Sequence, residues 1–206
     1  MTFSTGSLCE SSEEMTPKKK YRIQAHATTK TYVSCWIAAR RALDIARQKQ
    51  AGNLYFRMMA GVFCAFTIEA FLNHLGQRRI PEWKAFERKL GPREKLLMLR
   101  TTLHLSFDPS RRPFQTLHDI LKLRDSLAHG KTETVSSNRE VRDPDDPSAN
   151  YPEPDWKRLC EPTSVTRMVQ DAEAMVRALH SKAGYKSNPF LSPGSTWSST
   201  SELPDD

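Results

Sequence analysis

The sequence predicts an all-α fold: an antiparallel bundle of four to five helices with an acidic, proline-rich loop and disordered tails. Apolar residues recur every three or four positions in several long segments, which is the spacing of amphipathic helices. No run of useful length alternates apolar and polar residues as a strand would, and no repeat of roughly 20–50 residues appears. With 38% apolar residues, the 206-residue chain suits one domain with extensions.

Three predicted helices lie in the first half of the chain. The first covers about 29–50 and presents one apolar stripe, formed by Tyr32, Cys35, Trp36, Ala39, Leu43 and Ala46. The second, about 54–76, is apolar nearly all round and ends at Gly76, so we expect it at the centre. A shorter helix begins at Glu82 and is broken by the "GP" at 91–92, after which leucines continue an apolar face.

Two further helices are predicted in the second half. One begins with Pro113 in its first turn and ends at Gly130, because proline suits a helix start and glycine a helix end. The other covers about 164–183 and has the most regular period in the chain. Between them, the acidic and proline-rich segment 132–162 is predicted to be a long irregular loop.

The domain organisation follows from these segments. Residues 1–20 are predicted to be a mobile N-terminal extension, residues 21–184 the helical domain, and residues 185–206 a disordered C-terminal tail. There is no signal-peptide pattern and no uncharged apolar run of roughly 18 residues. We therefore expect a cytoplasmic protein that does not associate with a membrane.

No metal or cofactor site is predicted. The four cysteines are far apart and form no CxxC pair, so neither a zinc site nor a disulfide framework is indicated. His74, His104 and His118 have no partner at metal-ligand spacing. Phosphate-loop, dinucleotide-binding and serine-hydrolase motifs are also missing.

Charge is divided unevenly along the chain. Residues 18–131 hold 23 Lys and Arg against 8 Asp and Glu, a balance of +15, whereas the remaining segments hold 8 against 16, a balance of −8. A basic body favours binding to polyanions such as RNA, because neutralising phosphates releases counterions. Solubility alone also accounts for surface charge.

The segment "KLRDSLAHGK", residues 122–131, places Arg124, Asp125 and His129 at the end of a predicted helix. Within it, "RDSLAH" resembles the R-x4-6-H signature of the HEPN superfamily, the higher eukaryotes and prokaryotes nucleotide-binding domains. The preceding apolar helix with "TIEAFLNHLG" is also similar to HEPN chains. The resemblance covers roughly residues 29–184.

This resemblance implies a metal-independent endoribonuclease, often a toxin or defence effector. It also implies a homodimer in which the two motifs face each other across a shared cleft. Because the chain lacks a nucleotidyltransferase-like GS…DxD pattern, an antitoxin of that kind would be a separate polypeptide.

The residue types suit attack by a ribose 2′-hydroxyl, which leaves a 2′,3′-cyclic phosphate and a 5′-hydroxyl. His129 can act as base or acid near neutral pH, and Arg124 presents a permanently charged fork of donors to a phosphate. Asp125 could orient either of them. Five residues correspond to about 140° of rotation on an ideal helix, so Arg124 and His129 do not share a face. One of three things would have to bring the two side chains together: the last helical turn unwinds at Gly130, the Arg124 side chain bends along the helix, or a second chain supplies the partner histidine.

The same residues have a structural interpretation. His129 could simply complement the negative helix end, while Arg124 and Asp125 form a solvated pair. Glu69 and Asn73 lie one turn apart on the second helix, where they could support Arg124 or only satisfy polar groups inside the bundle. Lys131 could contact phosphate or remain one more exposed lysine.

Two rival functions therefore stand beside the endoribonuclease. One is a non-catalytic HEPN-like module that binds a nucleotide, RNA or a protein partner in the same cleft. The other is a helical adaptor whose basic body only keeps it soluble, which an absence of salt-dependent RNA binding would favour.

Overall fold

The structure is a computed structural model that describes residues 20–48, 51–136 and 152–203. Within these ranges the chain is mostly helical, about 60%, and contains seven helices and two strands. The elements in chain order are β1 (Tyr21–Thr29), α1 (Thr31–Gln48), α2 (Asn53–Arg79), α3 (Trp83–Phe86), α4 (Pro92–Thr102), α5 (Leu117–Ala128), α6 (Asp155–Leu159), α7 (Pro162–Lys182) and β2 (Gly194–Glu202). A single 3₁₀ turn, Phe114–Thr116, precedes α5.

The chain divides into two compact units. The larger unit, Thr29–Gly194, contains all seven helices described, and the smaller is formed by the segments before and after it. In the smaller unit β1 and β2 pair with each other in antiparallel fashion. The Leu203 amide donates to the Lys20 carbonyl at 2.8 Å, and the rings of His26 and Trp197 lie 5.7 Å apart.

The strands correct the prediction of an all-α chain. Strand β2 lies within the segment 185–206 that the sequence predicted to be a disordered tail, and β1 precedes the first helix. Every residue of β1 is exposed, so neither face of the pair carries the apolar alternation that a buried strand face produces. Residues 1–19 of the predicted N-terminal extension lie outside the described residues.

Helix α2 is the centre of the helical unit, as its all-round apolar character predicted. It packs against α1, α4, α5 and α7. Two of its glycines allow close approach of neighbouring side chains. A Cβ at Gly61 would lie 2.4 Å from Leu123 Cδ2, and a Cβ at Gly76 would lie 2.3 Å from two ring atoms of Trp83.

The helix bounds agree closely with the predicted ones, apart from three differences. The helix predicted from Glu82 to the "GP" at 91–92 covers only Trp83–Phe86. The helix predicted from Pro113 begins as the 3₁₀ turn and becomes α-helical only at Leu117. The segment 132–162, predicted to be irregular throughout, contains the short helix α6. A hydrogen bond from Arg57 Nε to the Cys160 carbonyl, 2.6 Å long, ties the end of α6 to α2. Residues 137–151 of this segment lie outside the described residues.

By length and composition alone, α2 is also apolar enough to cross a membrane. Half of its most apolar window is buried inside the protein. The central helix of a globular domain has the same composition, so this observation is weak evidence for a membrane span.

Candidate functional site

Arg124 is held in place by two carboxylates. The buried residues Leu121 and Leu123 pack α5 against α2, which leaves the Arg124 side chain only 23% exposed. Arg124 Nη1 lies 3.1 Å from Asp125 Oδ1, and Nη2 lies 3.7 Å from Glu69 Oε2 on α2. The guanidinium therefore contacts carboxylates on two helices. From the sequence, Glu69 was expected either to support Arg124 or only to satisfy polar groups inside the bundle.

Lys95 on α4 completes this cluster. Its side chain is only 2% exposed, and its Nζ donates to Glu69 Oε1 at 3.4 Å. Glu69 thus bridges a buried ammonium and a half-buried guanidinium. Lys95 was not predicted from the sequence, although it shares the three-and-four spacing of the buried residues Pro92 and Leu99 on α4.

An open cleft lies between α4 and α5. Both helices pack against α2, yet no pair of their Cα atoms comes within 8 Å, so a gap remains between them within the described chain. The cleft has a volume of about 520 Å³. Arg124 and Asp125 lie on the α5 wall, and the segment 91–94 forms the α4 wall.

The cleft is more basic than acidic. Arg93, Lys122 and Arg124 line it, against the carboxylates of Glu94 and Asp125. His118 also lines it, and Arg93 Nη2 lies 2.8 Å from His118 Nδ1. Because the guanidinium can only donate, this contact requires an imidazole that accepts at Nδ1 and carries its proton on Nε2. A cleft with this set of donors can bind an anionic group.

His129 does not line this cleft. It is the residue at which α5 ends, and its backbone amide donates to the Asp125 carbonyl at 2.9 Å. The side chain is exposed and makes no hydrogen bond or ion pair with any described residue. The Asp125 carboxylate contacts Arg124 and not His129. Arg124 and Asp125 are thus brought together within one chain, and His129 is left apart from them.

The remaining predicted site residues differ in their surroundings. Lys131 is exposed and lies in irregular chain after α5. Asn73 is half-buried, and its Oδ1 is buried without a hydrogen-bond partner among the described residues. The same holds for Arg124 Nε. Unpaired buried polar atoms cost free energy, so both are candidates for satisfaction by a ligand or water.

No described group of three or more His, Cys, Asp or Glu side chains is placed to bind a metal ion. His118, one of three histidines that the sequence left without a metal-binding partner, contacts Arg93. Its location in the cleft beside Arg124 was not predicted. No local spacing signals it, because residues 93 and 118 lie on different helices.

Comparison with known proteins adds no further constraint. No protein-family model, no curated protein and no solved structure matches this chain. The features of this chain that bear on its function are the "RDSLAH" segment and the cluster of Arg124, Glu69 and Lys95 beside the cleft.

Proposed function

We propose that this chain is a metal-independent endoribonuclease of the HEPN type, which cleaves RNA by attack of a ribose 2′-hydroxyl. The observation that carries the proposal is the placement of Arg124, which Glu69 and Asp125 hold at the wall of an open basic cleft. In this proposal α1, α2, α5 and α7 form the antiparallel bundle, and the start of α4 supplies the second wall of the cleft. The enzyme would act in the cytoplasm, as a toxin or defence effector with a separate antitoxin.

Arg124 would bind the scissile phosphate. Its guanidinium is partly shielded from water, and two carboxylates restrict its movement. A preorganised cation in such surroundings stabilises the extra negative charge of a phosphorane more effectively than a mobile surface arginine. Asp125 would then orient Arg124, which is one of the two roles that the sequence left open for it.

His129 would transfer protons, and a homodimer would bring it to the phosphate. Within one chain the imidazole lies outside the lining of the cleft, but it is exposed and accessible to a second copy. In a symmetric dimer, each His129 could serve the Arg124 of the other chain. Lys131, exposed two residues further on, would contribute to phosphate binding.

A cleavage assay tests this proposal. RNA is incubated in EDTA with wild type, Arg124→Gln, His129→Ala and the matched surface control Arg88→Gln, after circular dichroism confirms equal helicity. We expect cleavage by wild type and the control, and at least a hundredfold loss in the other two, since phosphate stabilisation and proton transfer each contribute about 10²-fold or more. The products should carry 2′,3′-cyclic phosphate ends. Full activity of His129→Ala would contradict the mechanism.

His118→Ala belongs in the same assay because His118 lies in the cleft beside Arg93. If His129 transfers the proton, this variant keeps most of its activity. Loss of cleavage in His118→Ala together with an active His129→Ala would move the proton-transfer role to His118.

The separation of His129 from the cleft favours a second candidate, a non-catalytic HEPN-like module that binds RNA or a nucleotide. Binding would then fall with salt, and Lys122→Gln would reduce the slope of log affinity against log salt by about one. Lys89→Gln, an exposed lysine outside the cleft, is the matched control. Salt-dependent binding without cleavage of any RNA would select this candidate.

A further inference from the structure

A second, smaller pocket lies in the helical unit, near the C-terminal end of α2. Its volume is about 80 Å³. The segment at the start of α1 contributes Lys30 and Tyr32, α2 contributes His74 and Arg78, and α7 contributes His180. None of the residues that line the Arg124 cleft takes part.

The pocket concentrates positive charge. Lys30 and Arg78 are cationic, and His74 and His180 can become so. No Asp or Glu lines the pocket in the part of the chain that is described. Lys30 is half-buried and Arg78 is exposed, both line the pocket, and neither forms an ion pair with a described residue.

The positive charges around the pocket disfavour protonation of its two histidines. Burial lowers the pKa of His74 to about 4, and the neighbouring charges of Arg78, Lys30 and His180 act in the same direction. Burial also lowers the pKa of His180, and Lys30 and Arg78 contribute to that shift. An anion in the pocket would relieve this repulsion, because opposite charge within a few ångströms favours the protonated imidazole.

The walls of the pocket are fixed before any ligand binds. Tyr32 is 2% exposed, and its hydroxyl donates to the Pro189 carbonyl at 2.9 Å. His180 is 8% exposed, its Nε2 lies 3.3 Å from Ser187 Oγ, and its ring stacks on Tyr185 at 4.8 Å. These contacts restrain the walls, so the pocket keeps its shape when an anion binds and little ordering cost is added there.

We propose that this pocket binds a phosphate group. Two permanent cations, two imidazoles and a small volume suit one tetrahedral anion, since the space admits only a few water-sized groups. A larger cleft of about 610 Å³ shares His180 and Tyr185 and adds Lys186 and Arg177. It leaves room for whatever molecule carries the phosphate. This site is independent of the proposed RNA cleavage.

Calorimetric titration with inorganic phosphate tests the site. Wild type, Arg78→Gln, Lys30→Gln and the matched control Arg88→Gln are compared in phosphate-free buffer at pH 7 and constant ionic strength. We expect saturable binding to wild type and the control, and binding about tenfold weaker or more in the two pocket variants, since each removes a charge-assisted contact. Absence of saturable binding to wild type, or equal binding by all four proteins, would overturn the proposal.

A second measurement does not depend on any variant. The imidazoles of His74 and His180 are titrated by NMR in wild-type protein, with and without phosphate. Phosphate in the pocket must raise the pKa of both, whereas unchanged titration at saturating phosphate would reject the site even if phosphate binds elsewhere.

The source of the phosphate is distinguished with two oligoribonucleotides that differ only in a 5′-phosphate. Tighter binding of the phosphorylated form, lost in Arg78→Gln, identifies an RNA end as the ligand. Equal binding of both forms, with phosphate binding intact, identifies a free phosphate or a small phosphate ester.

Discussion

Lys95 and Glu69 form an ion pair, 3.4 Å from Nζ to Oε1, in which the lysine is 2% exposed and the glutamate 35%. This asymmetry makes the two residues unequal in their effect on stability. A buried ammonium depends on its carboxylate, because charge without a partner in a protein interior carries a large desolvation cost. The glutamate retains access to water and also contacts Arg124.

Glu69→Gln is therefore expected to reduce the free energy of unfolding by about 2–4 kcal/mol, because it leaves the Lys95 ammonium buried without an opposite charge. Lys95→Met, which removes the buried charge itself, should change it by no more than about 1 kcal/mol in either direction. Urea unfolding at pH 7 measures both, with the exposed Glu94→Gln as control. An equal loss of unfolding free energy in the two variants would contradict this expectation and show that the ion pair itself contributes net stability.

Subunit mixing tests whether the catalytic site is shared between two chains. Arg124→Gln and His129→Ala should each be inactive alone, but a heterodimer would contain one site with both native residues. After random exchange of subunits, activity should return to about a quarter of the wild-type value, because half of the dimers carry one native site of two. Exchange is confirmed with differently tagged chains. No recovery despite confirmed exchange would place Arg124 and His129 of one site in the same chain.

Gly76→Ala should destabilise the protein although alanine favours helices. The new Cβ would lie 2.3 Å from the indole of the buried Trp83, so the ring or the helix must shift. Overpacking of this kind costs about 1–3 kcal/mol, which exceeds the gain in helix propensity of roughly 1 kcal/mol. Gly91→Ala is the control, since its nearest neighbour is the mobile end of Glu94. Chemical unfolding that shows Gly76→Ala to be the more stable of the two variants would contradict this packing.

The pH dependence of stability should contain a contribution from His74. Its pKa is about 4 in the folded protein against 6.5 when unperturbed, so the unfolded chain binds a proton first as pH falls. The contribution of His74 to the free energy of unfolding is thus fully present above about pH 6.5 and is lost as pH falls towards 4. The ring is only half-buried, so after allowance for solvent screening the loss between pH 7 and pH 5 is about 1 kcal/mol.

Urea unfolding in phosphate-free buffer measures this contribution as the difference between wild type and His74→Gln. The variant should lose less stability over the same pH interval. Parallel curves for the two proteins would show that His74 titrates normally in the folded state.

The helices were predictable because each buries one face, and burial of one face imposes a period on the sequence. The helices α1, α2 and α7 lie close to their predicted bounds. The strands β1 and β2 could not be predicted, because they pair through backbone groups and leave their side chains exposed. Such pairing between segments more than 160 residues apart places little demand on side-chain pattern.

The sequence pointed to those residues of the candidate site that stand out locally, either in one motif or as a polar residue on an apolar helix. Arg124 and Asp125 were recognised from one segment, and Glu69 was named from its polar character on an apolar helix. Lys95 and His118 belong to the site through tertiary packing alone. A lysine beside leucines on a short helix resembles a surface residue until the carboxylate facing it is known.

Helix α2 also acts as a spacer. Both α4 and α5 pack against α2, and they contact each other through Arg93 and His118. The bulk of the α2 side chains beneath the cleft, which do not line it, therefore helps to set its width. Substitutions on α2 could thus narrow or widen the opening while leaving every cleft residue unchanged. Such substitutions would change which sizes of ligand the cleft accepts without altering any residue that contacts the ligand.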